Sequence, residues 1–238
     1  MKDPNPVNSN AMLQPDLDRR IAEIRERIAR AAERGGFGQN TTIIAVTKTH
    51  GPDAPSAAFN AGITDVGENK VQEALGKMDD VLVPVRWHLI GHLQRNKVKS
   101  LDRFSLFHAL DSSRLADAID RFGVERGRPV EVLMQVNPAR EETKGGFDVD
   151  EVSGEADRLA SMKGIVVRGA MTIARLGAGE VELRETFGAV REANRVLAVA
   201  GHPATELSMG MSSDYEVAVE EGATMVRLGS ILFGERSK

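Results

Sequence analysis

Two hydrophobic periods follow one another along this chain. The first is helical, because apolar residues recur at intervals of three and four, with Arg and Glu between them, at Leu17, Ile21, Ile24 and Ile28. Gly35 and Gly36 then provide a stop signal, so the pattern predicts an amphipathic helix ahead of the main fold. Residues 1–15 are rich in Asn and Pro and have little to bury. We therefore expect a disordered extension over residues 1–15 and a single domain over residues 16–238.

The second pattern alternates short β-branched runs with longer helical stretches. Eight runs are predicted as strands, at residues 42–47, 64–67, 86–90, 106–110, 130–136, 165–171, 205–207 and 224–228. A helical stretch follows each run, and the last one is a short helix after Ser230. This alternation favours an α/β fold with a parallel sheet, and eight units in roughly 200 residues match a single (β/α)8 TIM barrel. The main rival is a doubly wound open sheet, but no GxGxxG or Walker motif supports a nucleotide-binding form of it.

Composition narrows the classes of function. The chain has 238 residues, 41% apolar and 28% charged, and its formal charge of −4 offers no overall basic field for nucleic acid. The sequence shows no bilayer-spanning apolar run and no signal-peptide pattern, so we expect a cytoplasmic protein without membrane association. It contains no cysteine, and its five histidines form no HExxH pair. Neither a metal site nor a thiol nucleophile is therefore predicted.

The carboxyl ends of the strands form the working face of a βα barrel, and here they carry many polar residues. Lys48 follows the apolar run IIAVT, where partial desolvation at the barrel mouth would favour imine chemistry by its amine. The alternative is an ordinary strand-end lysine that extends into solvent, and the local pattern by itself favours this alternative. Strand six ends at Met171, at the same predicted face.

The last two loops offer the parts of an anion site. SMGMSSD follows strand seven and RLGS follows strand eight, and these are the two loops where barrels commonly bind phosphate. Glycines allow close backbone approach and serines offer hydroxyls, at Ser208, Gly210, Ser212, Ser213, Gly229 and Ser230. Ordinary turn and cap chemistry explains either loop singly, but two such loops in the two expected places favour a phosphate site. Arg227 would contact the phosphate or hydrogen-bond a ring nitrogen, unless it forms only a structural ion pair.

Three further features stay open at this stage. His88 follows Trp87 at the end of strand three, where a packing histidine is commoner than a functional one. Residues 94–99 form a basic stretch that is either a solvated face or a local anion patch. Residues 144–146 form a cationic, glycine-containing loop that either closes over a ligand or is a turn.

Five segments, AVTKTH, GENKVQE, WHLIGHLQRNK, KGGF and ELSMGMSSDYEVAVEEGATMVRLGSILFG, carry a family resemblance. Together they resemble the pyridoxal phosphate homeostasis protein family, which is similar to the barrel domain of alanine racemase. The resemblance runs from about residue 43 to residue 236, and the last segment is highly specific. It implies a single barrel of PLP fold type III, with an extra N-terminal helix, that binds pyridoxal 5'-phosphate (PLP).

The resemblance also implies roles for individual residues. Lys48 would hold PLP as a Schiff base, and Arg227 would face the pyridine nitrogen. The remaining cofactor-binding positions would be Asn69, His88 and Met171 in the pocket, and Ser208, Met209, Gly229 and Ser230 around the phosphate. One departure is Lys70, which stands where many relatives have Tyr, so Lys70 is assigned no role.

Three functions remain to be weighed. Family likeness favours a monomeric PLP carrier without catalytic residues, which buffers the reactive aldehyde, acts in amino acid balance and serves PLP-dependent apoenzymes. An amino acid racemase is the runner-up, but it needs a second acid/base, which in alanine racemases is a tyrosine from a C-terminal β domain. The only tyrosine, Tyr215, is expected to open helix seven on the phosphate side instead. The third alternative is a barrel that binds an unrelated phosphate ligand.

Overall fold

The computed structural model describes residues 9–141 and 145–234. Eight parallel strands form a closed barrel, in which each strand pairs with its neighbours in the chain and the eighth pairs with the first. The strands are β1 (Thr42–Val46), β2 (Asp65–Glu68), β3 (Arg86–Leu89), β4 (Leu106–Leu110), β5 (Val130–Gln135), β6 (Ile165–Met171), β7 (Glu206–Met211) and β8 (Met225–Leu228). This order confirms the predicted (β/α)8 TIM barrel, since a doubly wound sheet stays open and reverses its strand order.

Helices surround the barrel. In the described chain the α-helices are α1 (Ser9–Gly35), α2 (Asp53–Asn60), α3 (Val71–Asp80), α4 (Ser113–Glu125), α5 (Val152–Ala160), α6 (Glu180–Val199), α7 (Tyr215–Glu220) and α8 (Ser230–Phe233). The basic stretch after β3 forms a 3₁₀ helix, Arg95–Arg103, in which Val98 and Leu101 are buried at the three-residue spacing of that helix type. A second 3₁₀ helix, Val149–Glu151, precedes α5. Among these described helices, none combines the length and the apolar character needed to cross a bilayer.

The core occupies both the barrel interior and the layer between strands and helices. Every residue of β4 is buried, and Phe107 and Leu110 are among its fully buried large side chains. Strands that are covered on both faces are expected to read as continuous apolar runs, which is why the short run at 106–110 was recognisable without alternation.

Strand β7 is longer than the sequence predicts. It continues to Met211 instead of ending at residue 207, because Met171 pairs with Ser208 and Met211 pairs with Arg227 across the two flanking strands. Gly210 makes this extension compatible with the packing of α7: its φ is 90°, and a Cβ there would lie 2.6 Å from the Cβ of Ala218. Serine and glycine were interpreted as loop residues, whereas here they continue a strand.

Helix α1 packs its predicted apolar face on the outside of the barrel. Its four periodic residues are buried, and Arg34 bonds Glu220 at 2.6 Å on the neighbouring helix α7. The helix begins at Ser9, inside the segment for which we expected disorder. Gln14 accounts for part of this difference, because its side chain donates to Asp18 one turn later and to the carbonyl oxygen of Ala57 in α2. Residues 1–8 lie outside the described residues.

Candidate functional site

A cavity of about 630 Å³ opens at the carboxyl ends of the strands, a size typical of small-molecule sites. Five of the residues predicted for the cofactor site line this cavity, namely Lys48, Asn69, Arg227, Gly229 and Ser230. Other lining residues lay outside the site prediction, among them His50, Ile90, Gly91, Ile173, Leu176 and Met211. Apart from His50, these six are apolar or small, and such residues carry no chemical signal in a sequence.

Lys48 lies half-buried in the turn after β1. The next residue, Thr49, has a φ of 69°, a left-handed conformation that a β-branched residue rarely adopts. Such a conformation persists where surrounding contacts hold it. Here the backbone N–H of Thr49 donates to Glu73 at 2.5 Å, and the carbonyl oxygen of Thr47 accepts from Lys77 at 2.8 Å. Both neighbours of Lys48 are thus bonded to helix α3.

Three charged residues form the cluster that anchors this turn. Lys77 donates to Glu68 and to Glu73, each at 2.8 Å, and the hydroxyl of Thr47 donates to Glu68 at 2.6 Å. Burial raises the pKa of Glu68, and the bonds from Lys77 and Thr47 oppose that rise. In Glu73, burial also acts to raise the pKa, but the bonds from Lys77 and Thr49 outweigh it and the pKa falls. One ammonium thus holds two carboxylates beneath the Lys48 turn, in a set that we call the Lys77 cluster (Glu68, Glu73 and Lys77).

Arg227 presents a buried guanidinium to the cavity from β8. It donates to the hydroxyl of Ser208 and to the carbonyl oxygen of Thr172, both at 2.7 Å. Burial lowers the pKa of Arg227 to about 10, and the negative charge of Asp214 opposes this change. A pKa near 10 still leaves the guanidinium protonated at neutral pH, so the cavity contains a fixed cation.

The loops after β7 and β8 meet at the hydroxyl of Ser212. That oxygen accepts from the backbone N–H groups of Gly229 and Ile231, at 3.4 Å each. Asp214 holds the other side of the loop, because its carboxylate accepts from the N–H of Met211 at 2.5 Å. Converging backbone N–H groups and hydroxyls are the donors that bind phosphate oxygens. The two loops therefore bring donors of this kind together beside the cavity.

Four of the predicted site residues lie below the cavity, in the strands. Met171 and Met209 are fully buried, and Ser208 lies within β7, because that strand continues past residue 207. His88 is buried in the barrel interior, where its ring nitrogens bond Asp65 at 2.8 Å and His108 at 2.9 Å. Among the described residues, none of these four lines the cavity.

The predicted cationic loop after β5 is described only in part. Lys144 lies outside the described residues, while Gly145 lies against Asp111, whose carboxylate bonds His92 at 2.7 Å. His92 lines the cavity, so this pair reaches its rim from β3 and β4.

Comparisons with known proteins identify relatives in sequence and in structure. The sequence model of the family described as alanine racemase, N-terminal domain, matches residues 20–237. A pyridoxal phosphate homeostasis protein from Aquifex aeolicus is 39% identical over 221 residues, which cover 91% of this chain and 97% of that protein. PipY of Synechococcus elongatus, solved with PLP bound, is 35% identical with a TM-score of 0.81, over 92% of this chain and 100% of that chain.

A more distant likeness concerns the fold alone. Alanine racemase from Corynebacterium glutamicum is 18% identical with a TM-score of 0.69, over 90% of this chain and 62% of that chain. By sequence and by structure, the chain belongs to the alanine racemase N-terminal domain family and, within it, to the pyridoxal phosphate homeostasis proteins.

Proposed function

We propose that this protein binds PLP in the cavity at the strand ends, attached to the amine of Lys48, and acts in PLP homeostasis without turning over a substrate. The observation that carries the proposal is the joint position of an amine, a fixed cation and an anion-binding loop pair around one cavity of about 630 Å³. The name of the Aquifex aeolicus relative and the PLP bound to PipY support the same ligand.

The residues present fit the cofactor. PLP is an aldehyde, a pyridine ring and a phosphate, and when bound it supplies an electron sink for carbon next to nitrogen. Lys48 offers the amine for the aldehyde, and the N–H groups of Gly229 and Ile231 with the Ser212 hydroxyl offer donors for the phosphate. The apolar side chains of Ile90 and Ile173 offer surface for the ring.

Arg227 supports a binding role over a catalytic one. A guanidinium only donates hydrogen bonds and stays protonated, and the pKa of about 10 keeps Arg227 charged at neutral pH. A pyridine nitrogen that faces it would remain an unprotonated acceptor, and the ring would then withdraw electrons weakly. Arg227 would therefore hold the ring in place while limiting its chemistry.

The tyrosine of this chain supports the same conclusion. Tyr215 is buried at the start of α7, and its ring lies 5.4 Å from the guanidinium carbon of Arg27 in α1. It packs between two helices instead of lining the cavity. Racemisation requires an acid/base on each face of the substrate, and Tyr215 is not positioned to be the second one. The proposal further includes a monomeric carrier in the cytoplasm that serves PLP-dependent apoenzymes.

Absorption spectra and a chemical trap test the attachment. Purified protein supplied with PLP should show an absorption band at the visible edge, and Lys48→Ala should abolish this band. Borohydride reduction followed by peptide mass analysis should place a pyridoxyl group on Lys48. Lys70→Ala is the matched control, because Lys70 is an exposed lysine on the neighbouring loop and its removal should leave the band unchanged. A pyridoxyl group on another lysine, or a band that survives Lys48→Ala, would contradict the attachment.

Assays with amino acids test the absence of turnover. The PLP-loaded protein should racemise none of a panel of amino acids above the rate of free PLP. Robust turnover would contradict the carrier function and favour the racemase function. Retention of PLP by Lys48→Ala with unchanged affinity would favour the third alternative, a barrel built for another phosphate ligand. Delivery is tested by adding the loaded protein to an apoenzyme that uses PLP and comparing its recovery of activity with that given by equal free PLP.

A further inference from the structure

A chain of buried polar side chains crosses the barrel interior below the cavity. The guanidinium of Arg227 bonds the hydroxyl of Ser208 at 2.7 Å, and this hydroxyl bonds Nδ1 of His108 at 2.9 Å. Nε2 of His108 lies 2.9 Å from Nδ1 of His88, and Nε2 of His88 lies 2.8 Å from Oδ1 of Asp65. All five residues are buried, and they come from β2, β3, β4, β7 and β8. Burying a polar group costs free energy unless it has a hydrogen-bond partner, and here each of the five side chains has one.

The direction of every bond in this chain follows from its Arg227 end. Arg227 can only donate, so Ser208 accepts there, and the hydrogen of the Ser208 hydroxyl goes to its other partner, Nδ1 of His108. Burial lowers the pKa of His108 well below its ordinary value, so the ring is neutral and its hydrogen is on Nε2. That hydrogen is donated to Nδ1 of His88, which then carries its own hydrogen on Nε2 and donates it to Asp65.

The far end of the chain is a carboxylate at the amino-terminal end of the barrel. Burial acts to raise the pKa of Asp65, but the bonds from His88 and Arg86 outweigh it and lower the pKa to about 2. Arg86 bonds the second oxygen of Asp65 at 2.6 Å, and its side chain is largely exposed. Asp65 and Arg86 also line a second cavity, of about 470 Å³, at that end of the barrel. The row of hydrogen-bonded side chains thus runs from Asp65, beside solvent, to Arg227, at the candidate site.

We propose that Asp65, His88, His108 and Ser208 are positioning residues that fix the guanidinium of Arg227 in the cavity. When both histidines are Nε2–H tautomers, every hydrogen in the chain meets an acceptor, so the carboxylate of Asp65 specifies the tautomer of His88, then that of His108, and finally the rotation of the Ser208 hydroxyl. This inference rests on the proposed function for its consequence, tighter PLP binding, but the bond directions stand on geometry alone. It also gives His88 and Ser208 a role at the site without contact with the cofactor.

An additional proton on His88 would reverse two of the bonds in the chain. If His88 held hydrogens on both nitrogens, its Nδ1–H would donate to His108, and His108 would then donate from Nδ1 to Ser208. The Ser208 hydroxyl would receive hydrogen bonds from both His108 and Arg227, and its own hydrogen would lose its acceptor. Only the arrangement with a single hydrogen on each ring satisfies both the Ser208 hydroxyl hydrogen and the bond from Arg227.

Nitrogen-15 NMR of the full chain, labelled at histidine, measures the tautomers directly. Both rings should carry hydrogen on Nε2 and none on Nδ1, whether or not PLP is added. Site assignment would use His88→Gln and His108→Gln. A hydrogen on Nδ1 of either ring, or a charged His108, would overturn the bond directions and with them the proposal. This arm uses the wild-type protein, so it does not depend on how any variant folds.

The second arm measures PLP affinity and the visible band in two variants of His108. His108→Phe removes both bonds and should weaken PLP binding by about tenfold, the equivalent of one lost buried hydrogen bond. His108→Gln retains a donor and an acceptor and should recover affinity to within about threefold of wild type. Equal affinities and spectra in wild type and in a folded His108→Phe would overturn the positioning role. If wild type itself binds no PLP, the proposed function fails, while the tautomer arm still decides the chain of bonds.

Discussion

The Lys77 cluster gives a prediction whose size follows from burial. Lys77 donates three bonds of 2.8 Å, to Glu68, to Glu73 and to the carbonyl oxygen of Thr47. Lys77→Met keeps most of the side-chain volume but leaves the Glu68 carboxylate fully buried with one remaining donor, the Thr47 hydroxyl. Breaking a buried ion pair from one side costs about 3–5 kcal/mol, and we expect a loss of that size in the free energy of unfolding near pH 8.

The loss should depend on pH with a definite sign. Burial already raises the pKa of Glu68, and removing Lys77 takes away the largest interaction that opposes the rise. A carboxyl whose pKa is raised in the folded state contributes its stability below its unfolded pKa and loses it as the pH rises through the folded pKa. The variant should therefore lie closer to wild type at pH 5 than at pH 8, because the lower pH favours the protonated form of Glu68 that burial stabilises. Each unit of additional rise in the pKa corresponds to about 1.4 kcal/mol.

Urea unfolding at the two pH values, followed by circular dichroism, measures this difference. Glu68→Gln in the Lys77→Met background replaces the carboxylate by a neutral amide and should remove the added pH dependence. Lys70→Met changes an exposed lysine directly before α3 and should alter stability by less than about 0.5 kcal/mol. A loss below about 1 kcal/mol for Lys77→Met, or an equal loss at both pH values, would refute the argument that Glu68 is a buried charge compensated by Lys77.

Other predictions follow from single contacts. Gly210→Ala should destabilise the protein by more than about 1 kcal/mol in urea unfolding, because φ at this position is 90° and the added Cβ would lie 2.6 Å from the Cβ of Ala218. Gly76→Ala is the control: this position faces open space on α3, so the substitution should be neutral or stabilising. Arg227→Gln should weaken PLP affinity by about tenfold or more and shift the visible band, as titration and spectra would show. Ile21→Ala should lower the free energy of unfolding by about 2–4 kcal/mol, because α1 packs this buried residue against the barrel.

Sequence patterns predicted the strands of the barrel better than they predicted how deeply individual residues lie below the cavity. The runs at 106–110 and 165–171 match β4 and β6 residue for residue, because buried parallel strands are mostly apolar and end at polar loops. Strand β7 was shortened because Ser208 and Gly210 resemble turn residues, and only pairing with β6 and β8 shows that they extend a strand. Ser208 and Met209 were assigned to the phosphate from the family resemblance, and both lie below the cavity.

His108 shows what a sequence pattern does not reveal. It lies in an otherwise apolar run, 100 residues from its partner Ser208, and no local spacing distinguishes it from a packing histidine. Its role becomes visible only when the closed barrel brings β4 and β7 within hydrogen-bond distance of one another's side chains. Lys48, Arg227 and Gly229 were easier to find, because they occupy strand ends that all meet at one face.

One short strand supports both sides of the candidate site. Successive side chains of a strand point to opposite faces, so Asp65 and Glu68, three positions apart in β2, face opposite sides of the sheet. Asp65 faces the barrel interior, where it begins the chain that orients Arg227, and Glu68 faces α3, where it joins the Lys77 cluster that anchors the Lys48 turn. The amine and the guanidinium are thus held by separate buried networks that share a single four-residue strand. Because each buried carboxylate bonds cationic or N–H donors of its own, a substitution in one network leaves the other compensated.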